Sequence, residues 1–176
     1  KGNATAILDQ SGSLGSLTNT RGIQAAVQPN ADNDPVTGKA VAIDVSANTT
    51  GFSLVQNGIT STAENIVDSD GDKVPDADEP YIIGDIRLGS GSDLLDIRNG
   101  NVIGDISFGA GADRLNITGG AVVTGAITDS DGQLQLDITN GTLDARQTGV
   151  TNLSGMNLAK DGELIVMLDP ASSTNG

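Results

Sequence analysis

The sequence predicts an all-β fold, a right-handed parallel β-helix (a solenoid) with coils of about 20 residues, and three observations predict it. The first is a repeat: IGDIRLGSGSDLLDIRNGNV (83–102) is followed directly by IGDISFGAGADRLNITGGAV (103–122). Ile83, Gly84, Asp85, Ile86, Gly89, Gly91, Asp93, Leu95, Ile97, Gly100 and Val102 each recur unchanged twenty positions later. A degenerate third copy, VTGAITDSDGQLQLDITNGTL (123–143), is offset by one extra residue near Val122-Val123 and keeps Gly125, Ile127, Leu136, Ile138, Gly141 and Leu143. The second is alternation of apolar and polar residues within each copy, Ile86 and Leu88, then Leu95 and Ile97, which is the period of a strand. The third is the composition of the joints, Gly-Ser-Gly-Ser-Asp, Gly-Ala-Gly-Ala-Asp, Asn99-Gly100, Gly119-Gly120 and Asn140-Gly141, all able to turn the chain sharply.

Three short strands and tight corners in twenty residues describe one coil, and a coil closes a core only by stacking on its neighbours. Leucine-rich repeats share the period, but their Leu-x-x-Leu-x-Leu-x-x-Asn frame is not found here. Stacking places equivalent residues about 4.8 Å apart. Ile86 is then expected on Ile106 and Ile127, Ile97 on Ile117 and Ile138, and Phe108 over Leu88 as the one large interior side chain of these repeats. On the outside, Asp96, Asn116 and Asp137 form a ladder in which the neutral residue separates two charges. Asp93 over Asp113 has no such relief. Parallel crossovers wind right-handed, which sets the hand.

The N-terminal third shows the same short runs at Ile7-Leu8, Leu14, Leu17, Ile23, Ala25 and Val27, then Val41, Ile43 and Val45, then Phe52 and Leu54, read as further coils. Six to seven coils are expected in one segment spanning 1–176, with inserted loops at 28–39 and 57–80. DGELIVMLDP (161–170) forms a last strand, and the residues after Pro170 have the composition of a linker or a cut.

Composition bounds the chemistry. With 176 residues the chain is one domain's worth of protein, and 24 glycines with 2% aromatics follow from a narrow aliphatic interior instead of from disorder. A net charge of −14, with nine Lys and Arg scattered singly, argues against nucleic acid and anionic membrane surfaces as partners. No cysteine and no histidine are present, so disulfides, thiolate or imidazole zinc sites and Cys- or His-based nucleophilic catalysis are excluded. No stretch approaches the roughly 20 apolar residues of a spanning helix, and Lys1-Gly2-Asn3 does not begin a signal peptide.

DSDGDKVPDADE (68–79) carries six acidic side chains. Asp68, Asp70, Asp72, Asp76 and Glu79 stand at loop positions 1, 3, 5, 9 and 12 of a twelve-residue calcium loop, with the Val74 carbonyl at position 7. Gly71 lies at position 4 and Lys73 at position 6, where a helix-loop-helix calcium hand has glycine; together with Val67 and Pro75 this points to a metal loop without flanking helices, with a solvated acidic insertion as the alternative. Crowded carboxylates repel by about 1 kcal/mol per close pair even in water, and a cation relieves that. Oxygen-only ligands on a flexible loop favour calcium over magnesium, which needs a smaller octahedral cage, and over zinc, which takes nitrogen or sulfur. GSGSDLL (89–95) and GAGADRL (109–115) match part of the glycine-rich calcium repeats of secreted toxins, but at twenty-residue spacing, and corner turns with Asp capping backbone N–H groups explain them equally well. No helix follows these glycines, which removes a dinucleotide fingerprint. Catalytic residues are not identified. A polysaccharide lyase is the enzyme alternative, and it needs a basic ladder that Arg87 over Ser107, Arg98 over Thr118 and Arg114 over Leu94 do not build.

The phrases ATAILDQSGSLGSLTNT, GKAVAIDVSANTTG, IGDIRLGSGSDLLDIRNG, FGAGADRLNI, GAITDSDGQLQLDITNGTL and LIVMLDP span nearly the whole chain, and in them it resembles the β-helical passenger region of Gram-negative autotransporters. That resemblance implies a secreted solenoid exported by an outer-membrane barrel, and the barrel's aromatic-girdled strands do not occur in these residues. The expected role is a non-enzymatic segment at the surface of a Gram-negative bacterium, acting as stalk, surface layer or adhesive scaffold. A glycan-active enzyme and a calcium-responsive binding module are the alternatives. Flanking coils, another surface protein or self-association through the solenoid edges would supply partners.

Overall fold

A computed structural model describes residues 2–29, 37–146 and 151–167. The first coil is β1 (Ala4–Leu8), β2 (Ser16–Asn19) and β3 (Gly22–Gln24), and the second is β4 (Ala40–Asp44), β5 (Ser53–Gln56) and β6 (Tyr81–Ile83). The third is β7 (Asp85–Arg87), β8 (Leu94–Ile97) and β9 (Asn101–Ile103), and the fourth is β10 (Ile106–Phe108), β11 (Arg114–Thr118) and β12 (Val122–Thr124). The fifth is β13 (Ile127–Asp129), β14 (Gln135–Thr139) and β15 (Thr142–Asp144), followed by β16 (Gly155–Ala159) and β17 (Glu163–Ile165) of a sixth. The chain visits three parallel sheets in rotation: β1-β4-β7-β10-β13 (sheet A), β2-β5-β8-β11-β14-β16 (sheet B) and β3-β6-β9-β12-β15-β17 (sheet C). This all-β arrangement is consistent with a parallel solenoid. One 3₁₀ turn, Asp76–Asp78, is the only helical element among the described residues, so no helix there could cross a membrane.

The aliphatic ladders stand in the register that the repeat implies. Ile86, Ile106 and Ile127 pair in sheet A, and Ile97, Ile117 and Ile138 in sheet B. In sheet C one ladder runs Ile23, Ile82, Val102, Val123, Leu143, Leu164. The central rungs of all three are buried, and each such side chain contributes about 1.5–3 kcal/mol relative to exposure. Asp96, Asn116 and Asp137 also stack as expected.

Two expectations are corrected. The repeat aligns Val102 with Val122, but Val102 pairs with Val123, and Asn101 with Val122. Gly119 and Gly120, at φ 60° and 81°, take one residue more to turn their corner than Asn99-Gly100 does, which reverses the facing of the next valine pair. Val123 is therefore buried and Val122 only partly so. Asp93 and Asp113 are not on the outside with the Asp96 ladder; both are 2% exposed, inside the corner between sheets A and B.

Residues 30–36 of the first insertion lie outside the described residues, as do 168–170 of the last phrase and the segment after Pro170. The second insertion, 57–80, leaves the solenoid after Gln56 and returns at Tyr81, both of which pair in register with neighbouring coils.

Candidate metal-binding loop

The acidic insertion folds on its own carboxylates. Asp68 Oδ1 accepts from Gly71 N–H at 2.7 Å and its Oδ2 from Lys73 N–H at 3.0 Å, while Asp72 Oδ1 accepts from Val74 N–H at 2.6 Å. The last of these is an Asx turn, and Asp68 gathers the backbone ahead of it, with Gly71 and Lys73 both at positive φ. Asp76 N–H donates to Val67 O at 2.9 Å and closes the loop at its base. The Val74 side chain is 1% exposed and anchors the loop over Gly58, where an added Cβ would stand 2.6 Å from Val74 Cγ1.

Of the six residues that the spacing singled out, the structure gathers three. Carboxylate oxygens of Asp68, Asp70 and Asp72 lie within 4.8 Å of one another and could hold a metal ion. Asp76 is turned to Ser69, accepting from its N–H at 2.8 Å and its hydroxyl at 2.6 Å, which holds the carboxyl below its ordinary value. Val74 is tied to Asp72 through its N–H, and its apolar side chain points to the solenoid. Glu79 stands outside the triplet. Burial, then the charges of Asp72, Asp70, Asp76 and Asp68, push its carboxyl up to about 7, and its Oε2 is buried without a hydrogen-bond partner. Asp70 is raised too, by burial and then by the Asp72 charge. A hard divalent cation is the ligand that such an oxygen-only, anionic cluster suits.

The loop is seated on the corner between sheets B and C. Asp72 Oδ2 accepts from Asn99 Nδ2 at 2.8 Å, and Asn99 Oδ1 accepts from Gly58 N–H at 2.6 Å. Asp70 lies over Gly120, where a Cβ would come 2.1 Å from Asp70 Oδ2. Behind Asn99 runs a buried chain of amides: Asn19 Nδ2 donates to Gln56 Oε1 at 2.9 Å, and Gln56 Nε2 to the Asn99 carbonyl at 3.0 Å. At the loop's exit Arg21 pairs with Asp78, and the Tyr81 ring covers Gly22. Sequence reasoning missed Asn19, Gln56, Asn99 and Gly120. Gln56 carried a signal, because it occupies the inward parity of Leu54 and is fully buried.

The glycine-rich phrases form the corner between sheets A and B, where Asp93 Oδ1 accepts from Phe52 N–H and Asp113 Oδ1 from Asp93 N–H, each at 2.7 Å. They cap backbone groups of the preceding coil. The arginines bind locally: Arg87 to Asp44, Arg98 to Asp96, Arg146 to Asp144, and Arg114 to Gln135. No family model, curated protein or solved structure matches the chain.

Proposed function

We propose that the chain is a non-enzymatic structural segment of a longer secreted or cell-surface solenoid, wound right-handed, whose acidic insertion is ordered by calcium. The observation that carries this reading is the seating of the loop. A segment that leaves the second coil is fixed to Asn99 of the third and lies over Gly120 of the fourth, so an ion in the loop would brace three coils from outside. The dispersal of arginines into local pairs with aspartates or glutamine favours a scaffold over a lyase groove. The autotransporter-like phrases favour a Gram-negative cell surface, with flanking coils or another surface protein as partners. Stalk, surface layer and adhesive scaffold are the roles such a rod fills.

Calcium would be held by Asp68, Asp70 and Asp72, with Glu79 and Asp76 drawn in as the ion offsets their repulsion, at an affinity on the order of 10⁻⁴ to 10⁻³ M. Calorimetric titration of chelator-treated protein is expected to show one site that is lost in the Asp70→Ala, Asp72→Ala variant. Calcium is expected to protect residues 60–82 from protease while the ladders from Ile86 onward stay resistant in either state. Equal heats in both proteins would remove the loop as the site, and release of sugar from polygalacturonate by the isolated chain would overturn the scaffold reading.

Gly120→Ala tests the seat. At φ 81° the new side chain costs about 1–2 kcal/mol, a fall of roughly 2–8 °C in melting temperature. Its methyl also occupies the position of the Asp70 carboxylate, so calcium affinity is expected to fall by about tenfold, the equivalent of 1.4 kcal/mol. Gly132→Ala, also at positive φ but outside the loop and meeting only Asn152 Cβ at 3.4 Å, is expected to lose similar stability with calcium affinity unchanged.

A further inference from the structure

The corner between sheets A and B holds two carboxylates that the acidic loop does not use. Asp93 and Asp113 are each 2% exposed and stand one coil apart. One oxygen of each is occupied, by Phe52 N–H and by Asp93 N–H respectively, while Oδ2 of each is buried without any partner. An unpaired buried carboxylate is expensive as an anion, and two stacked ones more so, because each disfavours the charge of the other.

Among the described residues the surroundings offer no cation to offset them. Above, Asp129 and Asp131 add negative charge, with Asp129 Oδ2 bound to Leu134 N–H and Asp131 Oδ2 to Gly111 N–H. Below, the second coil presents Asn48, Thr50, Gly51 and Phe52, none of them charged. Arg114, next in the chain to Asp113, turns outward to Gln135, and Arg98 turns to Asp96. A metal ion would need about six to eight oxygens, yet the corner is closed by backbone in contact with backbone. A Cβ on Gly89 would stand 1.7 Å from Asn48 O, and one on Gly109 1.5 Å from Gly89 O. The ligand that fits this space is a proton.

We propose that the Asp93–Asp113 stack is a proton-binding site, which makes the corner joining the second, third and fourth coils a joint that tightens in mild acid. The titration direction agrees: burial, then the charges of Asp93, Asp129 and Asp131, push Asp113 up to about 6, and burial raises Asp93. A carboxyl raised in the folded state binds its proton more tightly there than in the unfolded chain. Its contribution is complete below the ordinary value of 3.8, is lost as pH rises through about 6, and is absent at neutral pH.

Carbon-13 carboxyl titration of the full chain by NMR tests this, alongside melting of wild type, Asp113→Asn and Asp93→Asn between pH 4 and 8, in chelator and in calcium. Asp113 is expected to titrate near 6, and the wild-type folding constant to fall at least about tenfold further than that of Asp113→Asn over this range. An Asp113 midpoint among ordinary carboxylates, or melting differences that do not change with pH, would overturn the proposal. So would an Asp113 signal displaced by calcium at fixed pH, which would make the ligand a cation. If the asparagine variants do not fold, the wild-type titration alone decides.

Discussion

Gly109→Ala is expected to lower stability by about 3 kcal/mol or more, the upper end of what overpacking costs, and the melting temperature by roughly 6–12 °C. The added Cβ would lie 1.5 Å from the carbonyl oxygen of Gly89 in the coil below. That neighbour is backbone, so no rotamer change makes room, and the two coils must separate at the corner. The separation would also disturb the bond from Asp93 N–H to Asp113 Oδ1, which holds the same corner together. Gly15→Ala is the control, because nothing lies within 4 Å of its Cβ position and its φ is not positive; a gain of about 0.4–1 kcal/mol through the unfolded chain is the most it should show. Thermal unfolding followed by circular dichroism distinguishes them. If Gly109→Ala melts with the wild type, the corners are not stacked as closely as described.

The second large effect is at Phe108, 1% exposed, one coil above Leu88 and paired with Asp129 on its other side. A solenoid interior is filled one layer at a time, and removal of a whole ring leaves a void that the rigid ladders above and below cannot close. Phe108→Ala is expected to cost about 3–5 kcal/mol. Phe108→Leu copies the residue that the third coil uses at this level and should lose only about 1–2 kcal/mol. Equilibrium denaturation of both variants gives the comparison, and equal losses would mean that the ring is not what fills this layer.

The ladders were legible because identity at a fixed spacing and alternation within each strand specify the same inward positions, as at Ile86, Ile106 and Ile127. Corners were less so. A pair of glycines does not declare how many residues it consumes, which is why Val122 was aligned where Val123 belongs. Asp93 and Asp113 share the parity of the buried Leu95 and Leu115, but charge argued for the outside and the backbone N–H groups that retain them belong to a different coil. In the loop, spacing located the acidic residues, and local hydrogen bonds decided among them: Ser69 diverts Asp76, while Asp68, Asp70 and Asp72 converge. Asn99 and Gly120 were invisible as parts of that site, since only the winding brings them beneath residues 70 and 72.

The buried amides have a consequence for how the winding finds its place. Near-identical coils are interchangeable to an aliphatic ladder: isoleucine covers isoleucine equally well one coil early or late, so a chain could wind out of step at little cost. Asn19 donates to the longer Gln56, Gln56 to the Asn99 carbonyl, and the Asn99 side chain ends the series on Asp72, an order that the aliphatic rungs cannot supply. A winding displaced by a whole coil would bury these groups unpaired, at about 1–3 kcal/mol each. The first three coils thereby carry an address that the repeat itself lacks, and the acidic loop is the last digit of it.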